Sequence, residues 1–239
     1  MPPVLSVIVP CYNEEATLDP CIARVLAIGD SGLSLEIIIV DDHSRDGSPA
    51  VMEALATRHR EIAIVRHQEN QGKGAALKSG VAHASGDFVV FQDADMEYDP
   101  EDLKRLLVPL REGKADVVFG TRFSKESQNT NPYFWHVAAN SVLTLFSNLC
   151  SGLRLTDMET CYKMFRREII AQISIEEKRF GVEPELVAKI ARLRPGGKKL
   201  RITEVGIRYH GRTYGQGKKI GFKDALRALY CSVKYSFLA

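Results

Sequence analysis

Short β-branched or aromatic runs alternate with helix-like segments through the first half of this chain, and that alternation constrains the fold more than any other feature. The runs are Val4–Val9, Leu35–Val40, Ile62–Val65, Asp87–Phe91 and Asp116–Phe119. Apolar stretches of this length, without an in-out polar rhythm, suit strands buried on both faces of a largely parallel sheet. Between them the patterns predict helices over Glu15–Ala27, Ser48–His59, Gly74–Ala84 and Pro100–Arg111, with Pro100 suited to a first helical turn. The result is an α/β, Rossmann-like layout, in which ligands sit beyond the carboxyl ends of the strands.

After Gly120 the alternation stops. From Ser127 to Leu153 there is no Lys, Arg, Asp or Glu. A membrane span needs about 20 predominantly apolar residues, and polar residues from His136 to Asn148 interrupt this stretch, so it reads as a buried or interfacial helix. Two further helices are expected near Val182–Ala191 and Phe222–Phe237, flanking a strand at Leu200–Tyr209. In the last helix Phe222, Ala225, Leu226, Leu229, Val233 and Phe237 keep helical spacing, while Lys223, Arg227 and Lys234 lie off that stripe. Such a face can lie on an anionic bilayer or pack on the body of the protein.

With 239 residues, 45% of them hydrophobic and 26% charged, the chain has ordinary globular composition. Met1-Pro2-Pro3-Val4 shows no basic region followed by a long apolar stretch, so no signal peptide is expected and residence is expected to be cytoplasmic, with peripheral membrane contact open. Five scattered cysteines suggest free thiols rather than a disulfide framework or a zinc site. The net charge of +2 is unevenly spread: residues 192–239 carry +10 and the remainder −8. A basic end of this kind suits an anionic partner such as nucleic acid, a phosphate-bearing substrate or a membrane surface. No nucleic-acid signature accompanies it, so that class is disfavoured.

The polar motifs fall where strands end. Asp93, Asp95 and Glu97 follow Phe88–Phe91 at every second position, and on an extended segment all three would share a face. Clustered carboxylates with oxygen-only donors favour Mg²⁺ or Mn²⁺, with a diphosphate as companion; alone, the same residues also suit a polar loop. Pro10-Cys11-Tyr12-Asn13-Glu14 ends the first strand and Asp41-Asp42-His43-Ser44-Arg45-Asp46-Gly47 the second. Tyr12 can stack on a base, and Glu14 and Asp41 can accept hydrogen bonds from base or ribose, although helix capping is an equally available role for these turns. Asn70-Gln71-Gly72-Lys73-Gly74 lacks the spacing of an ATP phosphate loop, but its glycines permit close backbone approach and Lys73 brings positive charge.

Taken in order, Val7–Glu14, Val40–Gly47, Asn70–Gly74, Asp93-Ala94-Asp95 and Gly120-Thr121-Arg122 resemble the motifs of family 2 nucleotide-sugar glycosyltransferases, which have the GT-A fold. Asp157–Lys163 and Glu204–Arg212 look like later motifs of the dolichol-phosphate mannose synthase branch and its bacterial relatives. The resemblance implies a catalytic domain over 1–212 followed by a basic loop and amphipathic helix over 213–239. It implies a nucleotide held by Pro10, Tyr12, Glu14, Asp41, Asp42 and Lys73, with Asp93 near ribose and sugar, and metal held by Asp93, Asp95 and Glu97. That branch often carries Gln in place of Glu97. Arg122 and Arg212 match phosphate-handling arginines of that branch, and Lys218 lies in a loop, Tyr214–Lys219, that matches its segment near the diphosphate. His136 and Asn140 stand where relatives carry an arginine and a serine for the acceptor phosphate.

The implied reaction is inverting transfer of a hexose from a nucleotide sugar, GDP-mannose ahead of UDP-glucose, to a polyprenyl phosphate. A phosphate monoester acceptor is mostly dianionic at neutral pH and needs no protein base. A hydroxyl acceptor would need one, and Asp157 is then the candidate, with helix capping as its other role.

Overall fold

The computed structural model describes residues 2–125, 127–129, 134–211 and 222–238. The predicted alternation is present as β1 (Val4–Cys11), α1 (Glu15–Leu26), β2 (Ser34–Asp41), α2 (Ser48–Arg58), β3 (Ile62–Arg66), α3 (Lys73–His83), β4 (Phe88–Phe91), α4 (Asp102–Arg111) and β5 (Val117–Thr121). There follow β6 (Gln128–Asn129), α5 (Phe134–Ser151), β7 (Lys163–Arg166), the short α6 (Arg167–Ile170), α7 (Val182–Arg192), β8 (Ile202–Gly206), β9 (Arg208–Tyr209) and α8 (Phe222–Val233), which continues as a wider turn over Lys234–Leu238.

Seven strands form one sheet in the order β3-β2-β1-β4-β7-β5-β8. All neighbours are parallel except β7, which runs antiparallel to both β4 and β5. The sequence reading has no strand at β7, because Lys163 and Arg166 bracket a two-residue apolar core. The strand expected over 200–209 breaks at buried Ile207: β8 stays in the main sheet while β9 leaves it to pair with β6.

Helices α1 to α4 cover the sheet conventionally. In α4, Leu103, Leu106, Leu107 and Leu110 are buried at helical spacing. Helix α5 is the reverse. Among its described side chains the buried ones are Asn140, Thr144 and Ser147, whereas Val142, Leu145 and Leu149 are 64%, 62% and 76% exposed. Helix α8 packs on α5 and α7, burying Ala228 and Cys231 and leaving Leu226, Tyr230 and Phe237 exposed. Among the described residues no helix is long and apolar enough to cross a membrane. The boundary expected at residue 212 lies outside the described residues.

Chain order reverses between β1 and β4: β2 and β3 are added on one side of β1, β4 on the other. A crevice therefore opens beyond the carboxyl ends of these two strands, where neither crossover can cover it.

Candidate active site

Three adjacent strands deliver the first set of polar groups to that crevice. Cys11 of β1 pairs with Asp41 of β2, and Ile8 of β1 with Phe91 of β4, so Tyr12, Asp41 and Asp93 emerge side by side. The turns after β1 and β2 hold each other. Asn13, at φ 55°, accepts from the Arg45 N–H at 2.8 Å, the Glu14 N–H donates to Ser48 at 2.9 Å, and Asp41 accepts from the Ser44 N–H at 2.9 Å. Tyr12 and Glu14 stay half-buried on this frame, with Pro10 before them.

Asp42 is turned the other way. Its carboxylate accepts from the Gln71 N–H at 2.9 Å and the Gly72 N–H at 2.7 Å and meets His67 Nδ1 at 2.7 Å. Both oxygens are thus engaged by the protein, and Asp42 fixes the glycine-rich turn instead of pointing at a ligand. Successive residues at a strand end face opposite sides, which separates it from Asp41.

The glycine-rich turn does permit close backbone approach, but the backbone that approaches is the protein's own. The N–H groups of Gly74 and Ala75 donate to the Lys178 carbonyl at 2.9 and 3.3 Å, and a Cβ on Gly74 would lie 1.9 Å from the Glu177 carbonyl oxygen. The start of α3 is therefore capped, and what this turn offers the crevice is the side chain of Lys73. Its ammonium lies 2.9 Å from Asp93 Oδ1 and 3.3 Å from Glu183 Oε1. Burial alone would push Lys73 down; Asp93, Cys161 and Glu183 outweigh it and hold the ammonium well above its ordinary value.

The expected three-carboxylate row needs correction. Strand β4 ends at Phe91, and the chain turns through Met96 at φ 64°, with Asp95 Oδ1 accepting from the Glu97 N–H at 3.1 Å. Glu97 is buried and accepts from the Tyr209 hydroxyl at 2.7 Å. An extended strand would align all three side chains; a turn does not. Among the described residues no cluster of three or more His, Cys, Asp or Glu is arranged around a metal position. Asp93 and Asp95, both half-buried, are a two-carboxylate oxygen set. That set fits Mg²⁺ or Mn²⁺, which bind through one or two carboxylates together with substrate phosphates.

The opposite wall is built by β5, α5 and the segment before β7. Arg122 follows β5 and meets Asp157 with two hydrogen bonds, Nε to Oδ2 at 2.6 Å and Nη2 to Oδ1 at 2.7 Å, while its backbone N–H reaches Oδ2 at 3.1 Å. Asp157 is 0% exposed and also accepts from Asn140 Nδ2 at 3.2 Å. The guanidinium stacks over the Tyr209 ring at 4.9 Å. Tyr209 thereby joins Arg122 to the Glu97 turn. The inward polar stripe of α5 holds this segment: Thr144 accepts from the Met158 N–H at 3.1 Å, and Asn148 bonds both the N–H and the carbonyl of Leu155.

Glu159 lies in the same segment with Oε1 sealed from solvent and without a partner among the described residues. Burial, with Glu183 adding to it and Lys163 and Arg122 opposing, pushes its carboxyl up to about 7. Arg212 and Lys218 lie outside the described residues, as does the side chain of His136. Lys163 and Tyr209 fall inside the motifs Asp157–Lys163 and Glu204–Arg212 but were given no role from sequence, and Glu183 lies in no motif at all. The five cysteines are all unpaired, as expected.

A family model described as Glycosyl transferase family 2 matches residues 6–174. An undecaprenyl-phosphate 4-deoxy-4-formamido-L-arabinose transferase from Salmonella paratyphi A is 30% identical over 216 residues, covering 90% of this chain and 62% of the relative. Its counterpart from Aeromonas hydrophila subsp. hydrophila is 29% identical, covering 95% and 66%. The chain thus spans somewhat under two thirds of the length of these relatives. Among solved structures, glucosyl-3-phosphoglycerate synthase from Mycobacterium tuberculosis with Mn²⁺, uridine diphosphate and phosphoglyceric acid superposes with a TM-score of 0.73 at 22% identity, over 99% of this chain and 80% of that one. That likeness is one of fold.

Proposed function

The chain belongs to glycosyl transferase family 2, and from that premise we propose that it is a metal-dependent, inverting hexosyltransferase that moves sugar from a nucleoside diphosphate to a polyprenyl phosphate. GDP-mannose is the first donor to test and UDP-glucose the second. Tyr12, Glu14 and Asp41 take the nucleoside, with Pro10 shaping the edge. Asp93 and Asp95 hold Mg²⁺ or Mn²⁺, which when bound offsets the charge of the departing diphosphate. Arg122 carries acceptor or diphosphate oxygens, assisted by Arg212 and Lys218, with His136 and Asn140 at the acceptor. An acceptor phosphate oxygen forms the new bond to the anomeric carbon as the bond to the nucleoside diphosphate breaks, with inversion and no covalent enzyme intermediate.

One observation carries the choice of acceptor: the reversed polarity of α5 puts a buried arginine clamp behind one face of the helix and bare aliphatic side chains on the other. A lipid that ends in phosphate presents those two chemistries together. The exposed faces of α5 and α8, with Arg227 and Lys234 nearby, then rest against the anionic membrane that holds the acceptor. The relatives named above are undecaprenyl-phosphate transferases, which supports the same choice. The alternative, Asp157 as base for a soluble hydroxyl acceptor, requires a proton to be taken by a carboxylate already engaged by Arg122 and Asn140.

The test is an assay of nucleotide sugars with Mn²⁺ and with Mg²⁺, offering polyprenyl phosphate and soluble sugars side by side. Glycosyl phosphoryl lipid should form, stop in excess EDTA, and fall at least about a hundredfold in Arg122→Ala. Exclusive transfer to a soluble hydroxyl, with Asp157→Asn inactive, would establish the alternative.

A further inference from the structure

Behind Asp93 runs a row of alternating charges that the proposed reaction does not use. Asp93, on the turn after β4, meets the Lys73 ammonium at 2.9 Å. Lys73, on α3, meets Glu183 Oε1 at 3.3 Å, and the other oxygen of Glu183 binds the ammonium of Lys163 on β7. Lys163 is 0% exposed, donates also to the Thr160 carbonyl and lies 5.5 Å from the Phe119 ring centre. Lysine is almost never fully buried without a partner, and Glu183 is the carboxylate that allows it here. Glu183 itself sits in the first turn of α7, where the helix dipole favours a negative charge.

We infer that Glu183 is a positioning residue for the donor site, holding Lys73 so that its charge is shared between two carboxylates instead of resting wholly on Asp93. The inference rests on the nucleotide-sugar reading above. A lysine ammonium is a compact charge on a flexible stem and settles wherever the nearest carboxylates put it. Glu183 is anchored on a strand in the middle of the sheet through Lys163, so it is a fixed second carboxylate for an ammonium that also contacts both oxygens of Asp93, at 2.9 and 3.1 Å. Without it, the Lys73 charge rests wholly on Asp93 and competes there more strongly with the divalent cation that a nucleoside diphosphate brings. Four elements converge on this row: β7, α7, α3 and the turn after β4.

Glu183→Gln alone leaves Lys163 buried without a counter-charge and should melt lower. Glu183→Gln/Lys163→Met removes one charge of each sign, so net charge is unchanged and no buried ammonium is left without a counter-charge; this variant should melt close to the wild type. Calorimetric titration of GDP and UDP in Mn²⁺ should nonetheless show binding about tenfold weaker than in the wild type. In a Lys73→Met background the same pair of substitutions should cost nothing further, because the residue through which Glu183 acts is gone. A stable double variant that binds nucleoside diphosphate like the wild type would overturn the inference, as would an equal loss in both backgrounds. A wild type that binds no nucleoside diphosphate would instead remove the donor reading itself, and shows before any variant is made.

Discussion

Helices α4 and α5 do opposite work with similar ingredients. Helix α4 turns four leucines onto the sheet and, apart from the buried Asp102 at its start, its charges to solvent. Helix α5 turns Asn140, Thr144 and Ser147 inward and Val142, Leu145 and Leu149 outward. The first helix stabilises by removing apolar area from water. The second holds a buried ion pair and a stretch of irregular chain by hydrogen bonds, and it leaves Val142, Leu145 and Leu149 in water. On the proposed reading, the site accounts for one face of this helix and a membrane surface for the other.

The sharpest way to break the comparison is at the ion pair that α5 supports. Asp157→Ala leaves Arg122 uncompensated in the interior and should destabilise by about 3–5 kcal/mol in denaturant titration, whereas an effect under about 1 kcal/mol would show the pair to be solvated like a surface bridge. Matched leucines test the two helices directly. Leu106→Ala in α4 should cost about 2–5 kcal/mol, and Leu145→Ala in α5 no more than about 0.5 kcal/mol. Equal losses would mean that the outer face of α5 is covered within the protein itself.

The smallest effect is a slope. Glu159, in the segment that α5 holds, has its carboxyl raised from 4.5 to about 7 by burial. The folded state therefore binds the proton more tightly than the unfolded chain, and its contribution to stability is complete below pH 4.5 and lost as pH rises through 7. Glu159→Gln should flatten that decline, so melting temperatures of the two proteins diverge toward pH 8, with the variant the more stable. A parallel pair of curves would place the Glu159 carboxyl in solvent.

The sheet was legible wherever a strand's own residues announce it. Phe88–Phe91 is apolar from end to end and Val4–Val9 is interrupted only by Ser6, and β1 and β4 follow them. Strand β7 was not, because a buried lysine at its start reads as a surface residue until Glu183, twenty positions later, is folded onto it. Asp41 and Asp42 are the same residue type in the same turn; only the strand's alternation, fixed by pairing with β1, tells the one facing the crevice from the one facing the glycine turn. The spacing of Asp93, Asp95 and Glu97 was visible, but a strand that stops at Phe91 was not, and the positive φ of Met96 undoes the expected row. For α5 the polar residues at helical spacing were readable. Which of its faces the protein keeps depends on the Asp157 segment, and no local pattern encodes that.

The place of β7 in the sheet has a consequence for how the chain comes to its structure. Strands β1 to β4 are complete by residue 91, but the free edge of β4 and one edge of β5 are filled only by a strand at 163–166, and the other edge of β5 by one at 202–206. During synthesis from the amino terminus, Phe88-Val89-Val90-Phe91 therefore waits as an open apolar edge while some seventy further residues emerge. Open edges of this composition recruit other chains. The parallel half is thus no detachable nucleotide-binding module: a chain cut before Lys163 would keep its motifs and expose the edge that later residues exist to close.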